Sequence, residues 1–259
     1  MPAFKPQTNA VEGNVIYVLL LVVFVQTIYP ITANNSPLAV VIYQAFYASL
    51  MFAGGLVVRD NPLYLRILVI LGLAWSVSGT LYAFNQEATW ALLIGYGFIA
   101  AFQVMVAYVL TLYLFQVRRV TRDAIYAACA VYLLIGAVFV PIYGVIETLT
   151  RTIEGTHAFA EAGIGLEDIF PWQDFIYYSY STLTTLGYGD ILPVTQAARA
   201  AAALEAIIGV LYMAIVIARL VGLYSAEEAE DDADERIAAL QAELEATRRH
   251  QTHETENDG

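Results

Sequence analysis

Apolar residues fall in six long blocks that are separated by short polar breaks. The blocks cover approximately residues 15–31, 38–58, 63–84, 89–117, 124–149 and 197–224. An α-helix needs roughly 20 predominantly apolar residues to cross the hydrocarbon core of a bilayer, and most of the blocks reach that length. The breaks contain Asn, Pro and charged residues, which are typical of turns. This pattern predicts an all-α membrane protein with six transmembrane helices.

A shorter apolar segment lies between the fifth and sixth blocks. Residues 150–168 are polar and contain glycine, which predicts an exposed loop. The segment from Trp172 to Thr185 is apolar and aromatic, but a helix of that length covers only about 21 Å of the roughly 30 Å core. Pro171 suits the start of a helix, and Asp174 suits its first turn. We therefore predict a re-entrant helix, which enters the membrane without crossing it.

Basic residues are distributed unevenly between the two sides of the membrane. Six helices place both termini on one side, which receives ten of the twelve lysines and arginines, and the other side receives only Arg151 and Arg199. Cytoplasmic loops carry the excess of basic residues in multi-pass proteins. The pattern predicts a multi-pass protein of the cell membrane with both termini in the cytoplasm and the re-entrant segment entering from outside.

Composition and charge limit the partners of the chain. It is 59% hydrophobic and 14% charged, with a net charge of -12, and this acidity disfavours nucleic acid as a partner. Residues 226–259 hold 12 acidic residues and 3 arginines, a net charge of -9. Their apolar positions repeat with coiled-coil spacing at Ile237, Leu240, Leu244 and Thr247. A short helical bundle and a solvated, disordered tail both remain open for this segment. Cys129 is the only cysteine, so a disulfide within one chain is excluded.

The run Thr185-Leu186-Gly187-Tyr188-Gly189 directly follows the predicted re-entrant helix. A site that strips water from a cation must replace that water with oxygens, and backbone carbonyls turned to one side can supply them. Such a backbone needs alternate residues at positive φ, which glycine adopts without steric cost. One chain contributes one strand, so a closed ring of carbonyls requires four copies.

Residues 185–190 resemble the filter of the potassium channel family, in which threonine and an aliphatic residue precede Gly-Tyr-Gly-Asp. The aliphatic residue is leucine here, where valine or isoleucine is commoner. The resemblance covers residues 124–224 and implies an outer helix, a pore helix, a selectivity filter and an inner helix in a C4 homotetramer surrounded by membrane lipid. It implies K⁺ as the permeant ion, no cofactor, and K⁺ coordination by Thr185, Leu186, Gly187 and Tyr188, with Gly189 completing the filter.

The resemblance also assigns residues that support the filter. Tyr177 and Tyr178 occupy the positions of an aromatic pair that braces it, and we expect Asp190 to accept a hydrogen bond from Tyr178. Packing alone is the other interpretation of the two tyrosines. Thr184, directly before the filter, is assigned to the same support. Ser181 stands where some relatives carry a glutamate, so a buried carboxyl pair behind the filter is not expected.

Two residues of the sixth block are functional candidates, Gly209 as a hinge of the gate and Glu205 as a modulatory residue. In the family, a glycine near Gly209 lets the inner helix bend, and close helix packing is the alternative explanation. Glu205 lies one turn earlier in an apolar run, and carboxylates within a membrane are functional candidates. The sequence leaves open whether Glu205 faces the pore helix or the water-filled cavity.

The segment outside the membrane is acidic. Between residues 148 and 196 the charged side chains are those of Arg151, Glu154, Glu161, Glu167, Asp168, Asp174 and Asp190. Four copies would concentrate cations at the entrance of a pore, although an ordinary solvated loop is equally consistent. His157 is expected to be an exposed histidine without a role.

The chain divides into a cytoplasmic N-terminus at 1–14, a four-helix membrane domain at 15–117, a pore domain at 118–225 and an acidic cytoplasmic tail at 226–259. Voltage-gated relatives carry regularly spaced arginines in the fourth helix, but residues 89–117 contain no arginine or lysine. We therefore predict no steep voltage sensing. Because the link at residues 118–123 is short, each four-helix domain should pack against the pore domain of its own chain.

These observations predict a subunit that conducts K⁺ passively through a tetrameric pore. A poorly selective cation channel and a silent subunit that needs a partner to conduct remain as alternatives. An enzyme is not expected, because Glu205 stands nearly alone among titratable groups in the predicted membrane core.

Overall fold

The computed structural model describes residues 15–27, 37–57, 61–84, 89–117, 119–161, 163, 165 and 170–257. Within these residues the chain forms seven helices and one pair of short strands. The helices are α1 (Val15–Thr27), α2 (Pro37–Val57), α3 (Pro62–Phe84), α4 (Thr89–Gln116), α5 (Arg122–Glu154), α6 (Trp172–Leu183) and α7 (Gln196–Asn257). The strands are β1 (Phe159–Glu161) and β2 (Ile191–Pro193), which pair antiparallel.

Four helices among the described residues are long and apolar enough to cross a membrane. The spans are Pro62–Leu81, Thr89–Gln116, Arg122–Glu154 and Gln196–Glu230. The described part of the first predicted block, α1, is apolar but has only 13 residues, and the predicted extension of that block to Ile31 lies outside the described residues. The chain is thus a multi-pass membrane protein, while the total of six transmembrane helices stays a prediction.

Specific caps set the ends of α5. Thr121 precedes the helix in an extended conformation, and its side chain accepts a hydrogen bond from the backbone N–H of Ala124. Gly155 ends the helix with a φ of 68°, and its N–H donates to the carbonyl of Arg151. A left-handed glycine is a common helix stop. The predicted end at Leu149 is therefore five residues too early, because polar residues after it continue the helix as far as this glycine.

The first four helices form one hydrophobic core together with α5. Val15, Val18, Val22 and Val25 lie three or four residues apart on α1, so that they share one buried face. They belong to the same buried cluster as residues of α4 and the first half of α5. Within the chain, the four-helix segment therefore packs directly on the predicted outer helix.

A second core holds the predicted extracellular segment in place. Ala158 and Phe159 are almost completely buried, and the partners of Phe159 include Phe170 and Phe175, with ring centroids 6.2 and 5.2 Å away. Phe159 pairs with Pro193 across the two strands. The prediction of an exposed loop at 150–168 is wrong for this part, because two apolar residues in a polar stretch were enough to anchor it.

Residues 118–120 and 215–259 form a second compact unit. In it, Arg119 lies 3.9 Å from Glu227 and 3.8 Å from Glu230, as exposed ion pairs that contribute little to stability. The predicted end of the sixth helix at Tyr224 is wrong, because α7 continues through the acidic tail to Asn257. Two tail positions with coiled-coil spacing, Ile237 and Leu240, are exposed in the single chain, and the bundle stays a prediction.

Candidate functional site

The predicted re-entrant helix corresponds to α6, which begins after Pro171 and ends at Leu183. Thr184 caps its C-terminal end, where its N–H and its hydroxyl both donate to the carbonyl of Tyr180, at 3.1 and 2.6 Å. The C-terminal end of a helix carries a partial negative charge, which favours nearby cations. That end leads directly into Thr185, so α6 presents its negative end to the first residue of the motif.

The backbone of the motif alternates in handedness. Thr185, Gly187 and Gly189 have φ values of 59°, 56° and 82°, whereas Leu186 and Tyr188 have negative φ. This confirms the expected positive φ at both glycines. A Cβ built on Gly187 or Gly189 would meet no atom within 4 Å in the chain, so conformation and not space requires glycine there. Alternation of this kind turns successive carbonyls toward one side, as cation coordination by backbone needs.

Thr185 carries strain that sequence reasoning missed. It is the only residue other than glycine with positive φ among the described residues. A β-branched residue in this region costs on the order of 1–3 kcal/mol, and such strain is concentrated at functional sites. The N–H of Thr185 donates to the carbonyl of Thr182 at 3.0 Å, which helps to hold this conformation.

Ser181 supports the start of the motif through three hydrogen bonds. Its carbonyl accepts from the N–H groups of Leu186 at 2.8 Å and Gly187 at 3.2 Å. The N–H of Gly187 also lies 3.2 Å from the Ser181 hydroxyl oxygen, which accepts from it. Sequence reasoning noted Ser181 only as the replacement of a glutamate. A small hydroxyl residue four positions before the start of the motif was the available signal for this role.

Asp190 is bound by Tyr177 and not by Tyr178. The Tyr177 hydroxyl donates to Asp190 Oδ2 at 2.7 Å, so the expected bond from Tyr178 is wrong. This hydrogen bond lowers the pKa of the exposed Asp190 carboxyl from its usual value. The Tyr177 ring also stacks on the ring of Tyr188, with centroids 6.3 Å apart and planes 8° from parallel. Tyr177 therefore contacts both the motif and the residue that follows it.

Tyr178 packs on the other side of α6. Its ring meets those of Tyr143 and Phe159 edge to face, with centroids 5.0 and 5.2 Å away, and its hydroxyl is hydrogen-bonded to Thr182. Consecutive residues of a helix point about 100° apart, so that only one of the two tyrosines can reach Asp190. The contacts of Tyr178 therefore agree with the interpretation that this residue serves packing alone.

Glu205 faces the pore helix, which answers the question that the sequence left open. It is completely buried on α7, where its carboxyl group is hydrogen-bonded to the hydroxyls of Tyr143 on α5 and Ser179 on α6. The Ser179 hydroxyl also lies 2.8 Å from the carbonyl of Gly136 on α5. One carboxyl group therefore connects α5, α6 and α7, and its polar partners on the two neighbouring helices accommodate it in an apolar surrounding.

Gly209 allows α7 to approach the end of α6 closely. A Cβ at this position would lie 2.7 Å from the carbonyl oxygen of Leu183 and 2.8 Å from its Cδ1. The same carbonyl accepts a hydrogen bond from the hydroxyl of Tyr132 at 3.3 Å. These contacts support the close-packing interpretation of Gly209, and its role as a hinge stays a prediction.

The C-terminal end of α5 anchors the strand pair. Glu147 is buried, and its carboxylate accepts from the N–H of Ala158 at 2.8 Å and contacts Nδ1 of His157. The carbonyl of Ala158 in turn accepts from the N–H of Val194 at 2.9 Å. The expectation that His157 is exposed and has no role is wrong, because its ring is largely buried and contacts Glu147. Because β2 begins directly after Asp190, this set of bonds ties the segment after the motif to α5.

Acidic side chains lie near the pair of strands β1 and β2. Burial raises the pKa of Asp174 to about 6, and the nearby charge of Glu161 adds to the effect. Glu167 and Asp168, two other acidic residues of the predicted entrance, lie outside the described residues. Groups of three or more side chains that could hold a metal ion do not occur in the described part of the chain.

Residues 129–226 match the family model described as ion channel. The matched segment contains most of α5, all of α6, the motif and α7 through its apolar part. Comparison with curated proteins and with solved structures gives no match. The elements that meet at Ser181, Glu205 and Gly209 thus all lie in the matched segment, and the match supports an ion-channel function for residues 129–226.

Proposed function

We propose that this chain is one of four identical subunits of a potassium-selective channel, with residues 185–189 as its selectivity filter. The observation that carries the proposal is the alternation of backbone handedness at Thr185, Gly187 and Gly189. This geometry allows consecutive carbonyls to replace the hydration shell of an ion. The carbonyls of Thr185, Leu186, Gly187 and Tyr188 then coordinate K⁺, while the protein supplies no cofactor.

Four copies are required because one chain contributes one side of the filter. In the single chain, Leu186 and Tyr188 are 54% and 68% exposed although they lie in the centre of the motif. On α7, apolar side chains such as Leu204, Ile207 and Leu211 are also more than half exposed. Surfaces of this kind are covered by lipid or by other copies in a membrane protein. A C4 tetramer in lipid, with both termini in the cytoplasm, accounts for them.

Two contacts favour potassium selectivity over a poorly selective cation pore. Tyr188 stacks on Tyr177, and Tyr177 binds Asp190, so the outer part of the filter is fixed to the pore helix. A rigidly held ring of oxygens discriminates between ions of different size better than a loose one, although the number and field strength of the oxygens also contribute. A silent subunit that conducts only with a partner would have the same contacts. Flux measurements must therefore distinguish it from a channel that conducts without a partner.

The test is ion flux from liposomes that contain the purified protein, first under a K⁺ gradient and then under a Na⁺ gradient. Gly187→Ala should abolish K⁺ flux, because a Cβ disfavours the φ of 56°. Gly155→Ala is the matched control: this glycine also has positive φ, at 68°, and also meets no atom within 4 Å, but it lies at the end of α5. The control should keep K⁺ flux.

Three outcomes would contradict the proposal. Equal flux of Na⁺ and K⁺ would indicate the poorly selective pore. Equal loss of flux in Gly155→Ala and Gly187→Ala would mean that general strain, and not the filter, is responsible. Absence of flux from a folded tetramer across pH, membrane tension and lipid composition would leave the silent subunit as the better explanation.

A further inference from the structure

Three buried polar side chains form a hydrogen-bond network between α5, α6 and α7. Tyr143 on α5, Ser179 on α6 and Glu205 on α7 are each 0% exposed. Oε2 of Glu205 contacts the Tyr143 hydroxyl, and Oε1 contacts the Ser179 hydroxyl. The Ser179 hydroxyl oxygen also lies 2.8 Å from the carbonyl oxygen of Gly136, so the network ends on the backbone of α5.

The two hydroxyls of this network supply fewer hydrogens than its contacts need. Each hydroxyl carries one hydrogen, and a backbone carbonyl only accepts. If Glu205 were ionised, the Ser179 hydroxyl would meet two acceptors, the Gly136 carbonyl and Oε1 of Glu205, with a single hydrogen to donate. The hydrogen of Tyr143 goes to the other carboxyl oxygen and does not help. One pair of oxygens would then face each other with no hydrogen between them.

A proton on Glu205 supplies the missing hydrogen. Oε1 then donates to the Ser179 hydroxyl oxygen, and Ser179 donates its own hydrogen to the Gly136 carbonyl. Tyr143 donates to Oε2, so that every contact of the network contains one hydrogen. The direction of donation is fixed at the end of the network, because the carbonyl of Gly136 has no hydrogen to return.

The surroundings of Glu205 agree with a neutral acid. Both of its hydrogen-bond partners among the described residues are uncharged hydroxyls. Along α7 the nearest basic residues are Arg199, whose Nε donates to the Pro193 carbonyl, and Arg219, which lies 14 residues or about 21 Å farther on. An ionised carboxylate without a cationic partner is expensive to bury, and such a group normally takes up a proton instead.

Three further titratable groups lie near Glu205, and all of them are tyrosines. They are Tyr132 on α5 and Tyr178 and Tyr180 on α6, which interact with its carboxyl group electrostatically. Each of the three hydroxyls is hydrogen-bonded elsewhere, two of them to backbone carbonyls and that of Tyr178 to Thr182. In the described part of the chain, the missing hydrogen therefore comes from the carboxyl group itself.

We propose that Glu205 is a neutral carboxylic acid at pH 7, and that the proton it donates to Ser179 positions α6 between α5 and α7. Ser179 lies two positions before Ser181, which binds the backbone at the start of the motif. Glu205 is thus a positioning residue that acts through Ser179. Its protonation does not depend on ion selectivity, and only the consequence for conduction rests on the proposed channel function.

Infrared spectroscopy measures the proton directly, because the C=O stretching band of a carboxylic acid is well separated from the bands of a carboxylate. The sample is the full chain in lipid nanodiscs at pH 7. Labelling of glutamate with ¹³C distinguishes its band from that of aspartate without any substitution. We expect a glutamic acid band in the wild type that is absent in Glu205→Gln.

Glu147→Gln is the matched control for this band. Glu147 is also buried, but its carboxyl oxygens face the N–H of Ala158 and Nδ1 of His157, both of which can donate. Its network therefore needs no proton on the carboxyl group, and the glutamic acid band should persist in Glu147→Gln.

Ser179→Ala tests the direction of the hydrogen bond. A carboxylic acid that loses the acceptor of its proton absorbs at a higher frequency than a hydrogen-bonded one. The glutamic acid band should therefore move to higher frequency in Ser179→Ala. Ser181→Ala is the control on the same helix and should leave the band in place, because the Ser181 hydroxyl accepts from the N–H of Gly187 and not from Glu205.

The dependence of stability on pH gives a second readout. An exposed glutamate of the unfolded chain is ionised above a pKa of about 4.3, whereas the folded chain keeps the neutral form at pH 7. Folding then takes up a proton, so the stability of the wild type falls as the pH rises from 5 to 7. Relative to Glu205→Gln, its melting temperature should fall by about 3–5 °C for each pH unit. Asp174 titrates in both proteins and cancels in this difference.

Three results would overturn the proposal. A wild-type spectrum at pH 7 without a glutamic acid band, or with one that remains in Glu205→Gln, would mean that Glu205 is ionised. A band of unchanged frequency in Ser179→Ala would mean that Ser179 does not accept the proton. A difference in melting temperature between wild type and Glu205→Gln that stays constant from pH 5 to 7 would mean that folding takes up no proton here. None of these measurements uses ion flux, so failure here is distinct from failure of the proposed channel function.

Discussion

Tyr177 donates a hydrogen bond to Asp190 at a distance of 2.7 Å, which joins α6 to the residue that follows the proposed filter. The two residues are 13 positions apart in the chain, and residues 185–189 lie between them. Tyr177 also stacks on Tyr188. One side chain of α6 thus contacts two positions at the C-terminal end of the motif.

Tyr177→Phe should accelerate the loss of K⁺ conduction during sustained opening by about tenfold. Removal of the hydroxyl deletes a charge-assisted hydrogen bond to the exposed Asp190 carboxylate, which helps to hold the residue that follows Gly189. The measurement is the decay of single-channel or macroscopic current at constant voltage. Tyr178→Phe serves as the matched control, and an equal effect of the two changes would contradict the role of Tyr177.

Lowering the external pH should reveal the hydrogen bond between Tyr177 and Asp190. Because the Tyr177 hydroxyl lowers the pKa of Asp190, the carboxylate form is favoured in the folded protein. Its contribution is present above the usual aspartate pKa and is lost only as the pH falls through the lowered value. Tyr177→Phe should therefore move the onset of acid-induced loss of conduction to a higher external pH. An unchanged onset would show that Asp190 titrates independently of Tyr177.

Asp174 should give the opposite dependence of stability on pH. Burial and the charge of Glu161 raise its pKa to about 6, so the neutral form is favoured in the folded state. Its stabilising contribution is complete below the usual aspartate pKa of 3.8 and disappears as the pH rises through about 6. Asp174→Asn should consequently raise the melting temperature at pH 7 by about 2–4 °C and change it little at pH 4.

Thermal unfolding of the detergent-solubilised protein at the two pH values measures this effect. Glu228→Gln provides the control, because that residue is exposed on α7. A melting temperature of Asp174→Asn that is lower than the wild type at pH 7 would mean that the carboxylate is needed there in its charged form.

Replacement of Glu205 should destabilise the pore domain. Glu205→Leu has a similar volume but leaves the buried hydroxyl of Tyr143 without this partner, while the Ser179 hydroxyl keeps its bond to the Gly136 carbonyl. An unpaired buried hydroxyl costs about 1–3 kcal/mol, so the melting temperature should fall by at least about 2 °C. Glu205→Gln retains a hydrogen-bond acceptor, so its melting temperature should fall less. Equal effects of the two variants would show that hydrogen bonding at this site contributes little.

Gly209→Ala tests the two interpretations of the inner-helix glycine. Close packing predicts a defect in the filter, because the added Cβ would lie 2.7 Å from the Leu183 carbonyl and must displace the end of α6. K⁺ conductance or selectivity should then fall in channels that still open. Gly222→Ala is the control on the same helix, since its Cβ meets no atom within 4 Å. Normal open-channel conductance and selectivity in Gly209→Ala, with a changed probability of opening, would favour the hinge.

Periodicity and length allowed much of this architecture to be predicted. The start of α6 at Trp172 and the positive φ of Gly187 and Gly189 follow from local chemistry, namely proline, hydrophobic length and the freedom of glycine. The hydrogen-bond partner of Asp190 does not follow from local chemistry, because a shift of one residue on a helix rotates a side chain by about 100°. Patterns identify the helix, but only packing decides which of two adjacent tyrosines faces the filter.

Contacts between distant segments were the least predictable. The pairing of β1 with β2 joins residues that are 30 to 34 positions apart, and three-residue strands leave no recognisable alternation. The positive φ of Thr185 is likewise invisible in a sequence, because threonine normally avoids it. Both features depend on the surrounding fold, which imposes them on residues that would not adopt them alone.

The proposed filter is attached at each of its ends. Near its start, the carbonyl and hydroxyl of Ser181 bind the backbone of Leu186 and Gly187. Beyond its last residue, Gly189, strand β2 begins at Ile191 and is held by β1 and, through Ala158, by Glu147. The number of residues between these attachments is therefore as important as their identity. In the proposed tetramer, loss or gain of one residue would change the spacing of the carbonyl rings in all four subunits at once, whereas a changed side chain leaves the number of residues intact. Chain length, more than side-chain chemistry, would then set the distance between successive ion positions.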